Sequence, residues 1–312
     1  MRLLKRKYGK QAQVHVLCKK PYELLHTHNP HVDETITIIN RVSEVADRLR
    51  KEKYDYVIDL HNNLRSFQAK RICKAQTFSV DKRNVAKWVY VNFKRELLPI
   101  GHFTDRCINT LAPLGVEDDG EGLDFFSDET ARPASELLPY PPGARYVAYA
   151  IGGKMGGKIL PTHQAIRLCE SIAKPVVLLG GKEDADRGAQ IARQAGGHVI
   201  NLAGKTDLFE SANIMRSAEL VLSHDTGMMH IAAALKKPVF SLWLATTPQL
   251  GFAPWRPGIG SRIFEADCKK RPTSKLGNRG YKSGCVFNLD LEKVAAEVNQ
   301  FATQETGPNT IR

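Results

Sequence analysis

Short apolar runs alternate with amphipathic stretches of about 10 to 15 residues along nearly the whole chain, and this alternation constrains its fold more than any other feature. An apolar run of five or six residues followed by a helical period is a strand feeding a crossover helix, and repeated units of this kind build parallel sheets. Two blocks are visible. In the first, the expected strands are AQVHVLC (12–18), ETITII (34–39), YDYVIDL (54–60) and QTFSV (76–80); in the second, RYVAYAI (145–151), PVVLLG (175–180), HVINLA (198–203), ELVLS (219–223) and PVFSLW (238–243). Between them lies ELLPYPPGAR (136–145), whose prolines cannot sustain a helix or a central strand, so it reads as a linker. The expected organisation is an α/β chain of two Rossmann-like units, 1–138 and 139–302, the second closing on an amphipathic helix over 289–302, with a polar tail at 303–312.

A length of 312 residues suits two units of this kind. Hydrophobic residues at 42% and charged residues at 25% exclude a disordered or collagen-like chain. The six cysteines, Cys18, Cys73, Cys107, Cys169, Cys268 and Cys285, are scattered without a CxxC pair, which reads as free thiols in a reducing compartment and implies no zinc site. No apolar run approaches a membrane span, and the opening MRLLKRKYGKQ has no apolar stretch of the signal-peptide kind; the expected location is the cytoplasm. A net charge of +12 favours anionic partners. The basic residues are spread along the chain and no nucleic-acid-binding pattern is present, which leaves a phosphorylated substrate or an anionic membrane surface.

Three loops carry the chemistry, each directly after an expected strand. In SHDTGMMHIAAALKKPVFSLW (223–243) a strand ends at Ser223 and a helix starts near Gly227. Asp225 and Thr226 suit a capping turn there, Gly227 allows close backbone approach, and Met228 and His230 lie in the first turns. The N–H groups of such a helix start favour a phosphate, although a plain helix cap satisfies the same pattern. AIGGKMGGKILP (150–161) places Gly152, Gly153, Lys154 and Lys158 in a basic glycine-rich loop. Gly152 to Lys158 has the spacing of a P-loop, but Ile159 stands where serine or threonine would hold magnesium and Pro161 would interrupt the following helix. A pyrophosphate-facing loop remains, with Lys158 or Lys154 neutralising leaving-group charge. In LLGGKEDADRGAQIA (178–192), after Gly181, Glu183 or Asp184 can hold ribose hydroxyls or simply cap a helix. All three loops should emerge at the carboxyl edge of one parallel sheet, where ligands of open α/β sheets bind.

His224 and His230 flank Asp225, but no third ligand lies nearby, so they read as packing or capping residues and no metal is expected. DKRNVAKWVYVNFKRE (81–96) mixes lysines and arginines with Trp88, Tyr90 and Phe93, as an interfacial helix or a core face would.

VLSHDTGMMHIAAALKKPVFSLW, preceded by VINLAGKTDLFESANIMRSAEL, resembles the donor-binding half of the ADP-heptose:lipopolysaccharide heptosyltransferases, glycosyltransferase family 9. DYVIDLHNNLRS (55–66) and HFTDRCINTLAPLGV (102–116) look like that family's first-domain motifs. The resemblance implies a GT-B fold, inverting transfer of heptose from ADP-heptose to a phosphorylated, lipid-linked core glycan, no obligatory metal or other cofactor, and possible contact with the inner face of the membrane. It assigns Lys158 to the phosphates, Glu183 to the ribose, and Asp225, Thr226 and Gly227 to the pyrophosphate and sugar, with Asn63, Arg65 and His102 on the acceptor side.

One departure stands out. The family begins with a strand and a turn of the type S-S-I-G-D whose aspartate is taken as the general base, whereas this chain opens in a helix-like segment without a preceding strand. Asp59, at a strand end, is the substitute base the sequence offers. Without that strand the first sheet should show an unpaired edge or a gap. A catalytically impaired sugar-nucleotide-binding protein and an epimerase-like enzyme on the same scaffold are the alternative functions.

Overall fold

The computed structural model describes residues 1–274, 277 and 280–301. In the first half, α1 (Arg2–Tyr8) leads to β1 (His15–Lys19), α2 (Leu24–Thr27), β2 (Glu34–Ile38), α3 (Ala46–Lys51), β3 (Tyr56–Asp59), α4 (Leu64–Cys73), β4 (Gln76–Ser79), α5 (Asn84–Phe93) and α6 (Phe103–Asn109). In the second, α7 (Ala134–Leu137), β5 (Val147–Ala150), α8 (Thr162–Ser171), β6 (Val176–Leu179), α9 (Ala185–Ala195), β7 (Val199–Asn201), α10 (Leu208–Ser217), β8 (Leu220–His224), α11 (Gly227–Ala234), β9 (Val239–Trp243), β10 (Arg262–Glu265), α12 (Gly280–Ser283) and α13 (Leu291–Gln300) follow. All nine strands read from the sequence form. The tenth, β10, lies in SRIFEA, a run too short and too charged to signal a strand.

β5 to β10 make one parallel sheet in the order β10-β9-β8-β5-β6-β7. Every residue of β5, β6, β8 and β9 is buried, which is why these segments read as continuous apolar runs rather than as alternation. The two-residue period still sorts the side chains. Val147, Tyr149, Leu178 and Leu222 join a core beneath α8, α9 and α13, while Ala148, Val177, Leu179 and Val221 join one beneath α10 and α11. Ala134 and Leu138 are buried in this second core, so the second unit draws on side chains from before residue 139. The expected linker is correspondingly a helical turn followed by exposed prolines, and Tyr140 lies against Tyr146. The last helix starts at Leu291, after Asp290 accepts the Lys293 N–H at 2.9 Å; the expected tail at 303–312 lies outside the described residues.

The first half is built differently. β1 pairs in parallel with β2, and β3 with β4, and among the described residues no ladder joins the two pairs. A doubly wound sheet has a central strand at this place. Its ladder positions stand open, and β1 is half-exposed at all five residues, in contrast to the wholly buried central strands of the second half. The core here is small, centred on Ile36, Ile38, Val42, Leu49 and Ala69. α1 is held by charge: Arg2 bonds Asp119 at 2.7 Å and Lys5 bonds Asp33 at 2.6 Å.

Two sequence expectations fail locally. Cys268 and Cys285 form a disulfide, so these two are not free thiols; Cys18, Cys73, Cys107 and Cys169 are. Pro161 does not interrupt the helix after the glycine-rich loop but precedes its first residue, Thr162, where a missing N–H costs little. Among the described residues no helix is long and apolar enough to cross a membrane.

Candidate active site

The loops after β5, β6 and β8 meet at the carboxyl edge of the six-stranded sheet, and their glycines are what lets them touch. A Cβ on Gly152 would overlap the Asp184 carboxylate of the neighbouring loop. One on Gly153 would lie 2.7 Å from the Ile159 side chain and 3.1 Å from Thr226. The three loops are therefore one surface. Gly227 faces open space, leaving room in front of the α11 N-terminus.

Lys158 and Asp225 form the centre. The Lys158 ammonium lies 2.7 Å from the Asp225 carboxylate, and Thr246, just past β9, donates its hydroxyl to the same oxygen at 2.9 Å. Asp225 is 7% exposed, so this ion pair is shielded far more than a surface one. Thr246 is fixed in turn: the Arg271 guanidinium donates to its carbonyl at 2.8 and 3.0 Å and bonds Glu265 at 2.6 Å. The Ala245 N–H bonds the Gly157 carbonyl and the Thr273 N–H bonds the Ala245 carbonyl, which clasps the lysine loop between β9 and the segment stapled by Cys268–Cys285. Sequence reading missed Thr246, Arg271 and this staple. ATTP directly after β9 carried a signal, since it too leaves the carboxyl edge of the sheet.

α11 begins where β8 ends because Thr226 is extended (φ −141°, ψ 174°) and the alanine-rich GMMHIAAA then favours a helix. Thr226 makes no side-chain cap, and its buried hydroxyl has no partner among the described residues. Met228 is half-buried against the apolar core. His230 faces the central pair. Burial pushes its pKa down, Asp225 opposes the shift, and His102 and Lys158 add to it. His224 is not at the surface at all: it is fully buried, and its Nε2 accepts the Leu160 N–H at 3.0 Å and faces the Tyr149 hydroxyl at 3.3 Å. It anchors the lysine loop from below. Lys154 and Glu183 are exposed at the rim. Asp184 is buried and bonds the Gly181 N–H at 3.0 Å, and burial raises its pKa.

The residues of the first half are placed less favourably. Asn63 caps α4, accepting the Ser66 N–H at 3.0 Å. Arg65, in the first turn of α4, is half-buried. His102 caps α6 through the Thr104 N–H, bonds the Ala253 carbonyl at 2.9 Å and stacks on Trp255, so both ring nitrogens are engaged where the two halves touch. Asp59 is corrected as a substitute base. It is 4% exposed, accepts the N–H groups of His61 at 3.0 Å and Asn62 at 2.6 Å, and lies 2.9 Å from Lys70. Burial raises its pKa, but the Asn62 N–H and Lys70 outweigh it and hold the carboxyl below its ordinary range, the opposite of what a base needs. Asp59→Asn is expected to cost about 1.5 to 3 kcal/mol of stability, the range for hydrogen bonds to a charged group, with ADP affinity unchanged. Urea unfolding beside calorimetric titration checks both, and a stable variant with weakened ADP binding would contradict it.

One set of possible metal ligands, His15, Glu34 and Glu52, gathers at the amino ends of β1 and β2, away from the carboxyl-edge loops. Arg48 already bonds both carboxylates, at 2.5 and 2.9 Å.

Two α/β units, the second presenting a glycine-rich lysine loop beside a helix N-terminus at its sheet edge, define the GT-B class of protein. The solved structure of Escherichia coli ADP-heptose LPS heptosyltransferase II matches with a TM-score of 0.67, covering 96% of this chain and 91% of that one at 19% identity. That of an E. coli heptosyltransferase with ADP matches with 0.62, covering 89% and 91% at 16% identity. Residues 166–276 match the model of glycosyltransferase family 9 (heptosyltransferase). The lipooligosaccharide heptosyltransferase 2 of Haemophilus influenzae is 28% identical over 229 residues, 64% of this chain and 63% of that protein, so the chain spans somewhat under two thirds of that relative. The sequence match to glycosyltransferase family 9 thus lies in the second half of the chain, and the solved structures share its fold.

Proposed function

We propose that this chain is a glycosyltransferase that moves a heptose from ADP-heptose to a lipopolysaccharide-core-type acceptor with inversion. The observation that carries this reading is the Lys158–Asp225 pair at 2.7 Å beneath the α11 N-terminus. A lysine held by a shielded carboxylate that Thr246 fixes in turn is pre-positioned, so it stabilises charge developing on a diphosphate leaving group without reorganising. The N–H groups at Gly227 have open space in front of them and suit the pyrophosphate oxygens. In this reading Glu183 takes the ribose and Lys154 the outer phosphate oxygens; the exposure of both at the rim supports it.

In the reaction an acceptor hydroxyl attacks the anomeric carbon as the bond to the diphosphate oxygen breaks, its proton passing to a base. ADP leaves with the electron pair on an oxygen beside Lys158. On the acceptor side, the half-buried Arg65 suits a phosphorylated glycan, while Asn63 and His102 shape the surface through the caps they make. The donor assignment draws support from the neighbouring structures with ADP and ADP-2-deoxy-2-fluoro heptose.

Thermal unfolding in the presence of ADP, UDP, GDP and ADP-heptose tests the reading. ADP and ADP-heptose at 100 times their dissociation constant are expected to stabilise the chain by about 2.7 kcal/mol, with UDP and GDP inactive. Stabilisation by UDP or GDP alone would assign another donor; no response to any of the four would remove the site.

A further inference from the structure

The lysine loop between β5 and α8 carries a brace that the reaction described above leaves unused. Its residues from Gly152 to Ile159 include four glycines, Gly152, Gly153, Gly156 and Gly157, so the backbone by itself holds Lys158 in no one place. The stems of the loop, Ile151 and Leu160, are fully buried. Arg187, in the first turn of α9, reaches them both: one guanidinium nitrogen donates to the Ile151 carbonyl and another to the Leu160 carbonyl, each at 2.6 Å. Both acceptors are main-chain groups, so a planar fork fixes the spacing of the two stems and with it the width of the loop. His224 takes the Leu160 N–H at 3.0 Å, which leaves Leu160 held at both its backbone groups just past Lys158. Burial first, and the Arg187 charge second, keep that histidine neutral and able to accept.

We propose that Arg187 is a positioning residue of the transfer reaction: by tying both stems of the loop to α9, it sets where the Lys158 ammonium stands beside the leaving diphosphate. This role rests on the donor-site reading, and Arg187 acts through the loop rather than at the reacting atoms. The lysine is then fixed at its two ends. Asp225 holds the ammonium at 2.7 Å, and Arg187 with His224 holds the backbone that carries it. The ion pair alone would tolerate many loop conformations, because an ammonium is a point charge that meets a carboxylate from several directions. Tied stems remove that freedom. The fork also joins two of the three loops. α9 starts from the turn that carries Glu183 and Asp184, and the Asp184 carboxylate fills the space beside Gly152. A donor held through its ribose at Glu183 and through its phosphates at Lys158 thus meets two points that one helix connects. A misplacement on the order of 1 Å can slow a reaction about a hundredfold, so a brace at this position has a long lever.

The test is a double-mutant cycle of Arg187→Met and Lys158→Ala in the full chain. It is read as ADP release from ADP-heptose with a lipopolysaccharide-core acceptor and as calorimetric affinity for ADP alone. Thermal unfolding of each variant sets an assay temperature at which all are folded, so lost stability does not enter the rate. Arg187→Met should lower kcat by about 10- to 100-fold while the donor KM changes by less than about threefold. In the Lys158→Ala background the same substitution should cost less than about twofold more, because the group it positions is already gone. ADP affinity should follow the same pattern: weaker in Arg187→Met, and no weaker again in the double variant. A merely structural brace would instead cost the same factor in both backgrounds. Arg187→Lys keeps the charge but reaches one carbonyl at a time, so it should lie between Arg187→Met and the parent; it also carries the cycle if the methionine variant does not fold. Equal factors in both backgrounds overturn the proposal, as does an Arg187→Met chain with parent-like turnover and ADP affinity. Full activity of Arg187→Lys overturns it too, since charge and not the fork would then suffice. A Lys158→Ala chain with parent-like turnover and ADP affinity sinks the donor-site reading and this role with it, whereas the other outcomes leave that reading in place.

Discussion

Lys158→Ala is expected to lower kcat/KM for heptose transfer by about 10²- to 10³-fold, or about 2.7 to 4 kcal/mol of transition-state stabilisation, the scale for loss of one pre-organised group at a developing oxyanion. The reasoning rests on where the ammonium is held. Asp225, itself bonded by Thr246, fixes it before substrate arrives, so its charge acts on the leaving diphosphate in full rather than after a reorientation. Most of the loss should fall on kcat, because the diphosphate gains charge as the glycosidic bond breaks. ADP, which carries that charge already, should also bind more weakly. The substitution leaves Asp225 shielded and without its cation, so some loss of thermal stability accompanies it. Lys158→Arg, which restores charge at a different reach, should recover stability more than rate. Steady-state ADP release together with calorimetric ADP affinity distinguishes these effects. A Lys158→Ala enzyme within about threefold of the parent rate would remove this lysine from the mechanism, since a single pre-organised donor is worth far more.

The second large effect is on stability below neutral pH. His224 is fully buried, and desolvation, with the Arg187 guanidinium adding to it, pushes its pKa down from 6.5 to about 3. The unfolded chain therefore holds more protons than the folded one between those two values, and stability must rise with pH across that window and fall as the solution is acidified. Each pH unit below about 6.5 should cost about 1.4 kcal/mol. The depressed pKa values of His230 and His26 push the same way. His224→Gln isolates the buried contribution, because the Gln carbonyl oxygen can take the Leu160 N–H while carrying no proton. The variant should be less stable at pH 7 yet lose less on going to pH 5. Equal slopes of unfolding free energy against pH in parent and variant would sink this account.

The same residue shows where sequence reading stops. SHDTG identifies a turn between strand and helix, and His224 packs in the core, but that its Nε2 is the acceptor for Leu160, sixty-four residues earlier, comes only from the fold. Asp59 shows the failure in the other direction. A carboxylate at a strand end is the natural choice for a base, yet the turn that follows aims two N–H groups at it and α4 returns Lys70 to it. The Cys268–Cys285 bond joins residues with no spacing signature, and Thr246 acquires a role only because β9 lies beside β8 in the sheet.

Read as sequence, the chain already specifies alternating strands and helices, the position of nine strands, and the three loops that leave one sheet edge, because a buried parallel strand must be apolar throughout and a helix must carry a period of 3.6. Folding supplies what local pattern cannot encode. It pairs Lys158 with Asp225 across sixty-seven residues, commits Asp59 and Asn63 to turns and caps, leaves β1 and β3 without a shared neighbour, and turns one face of α5 outward. Each of these depends on which strands lie side by side and on how much water each group loses, and those quantities exist only once distant parts of the chain have been brought into contact.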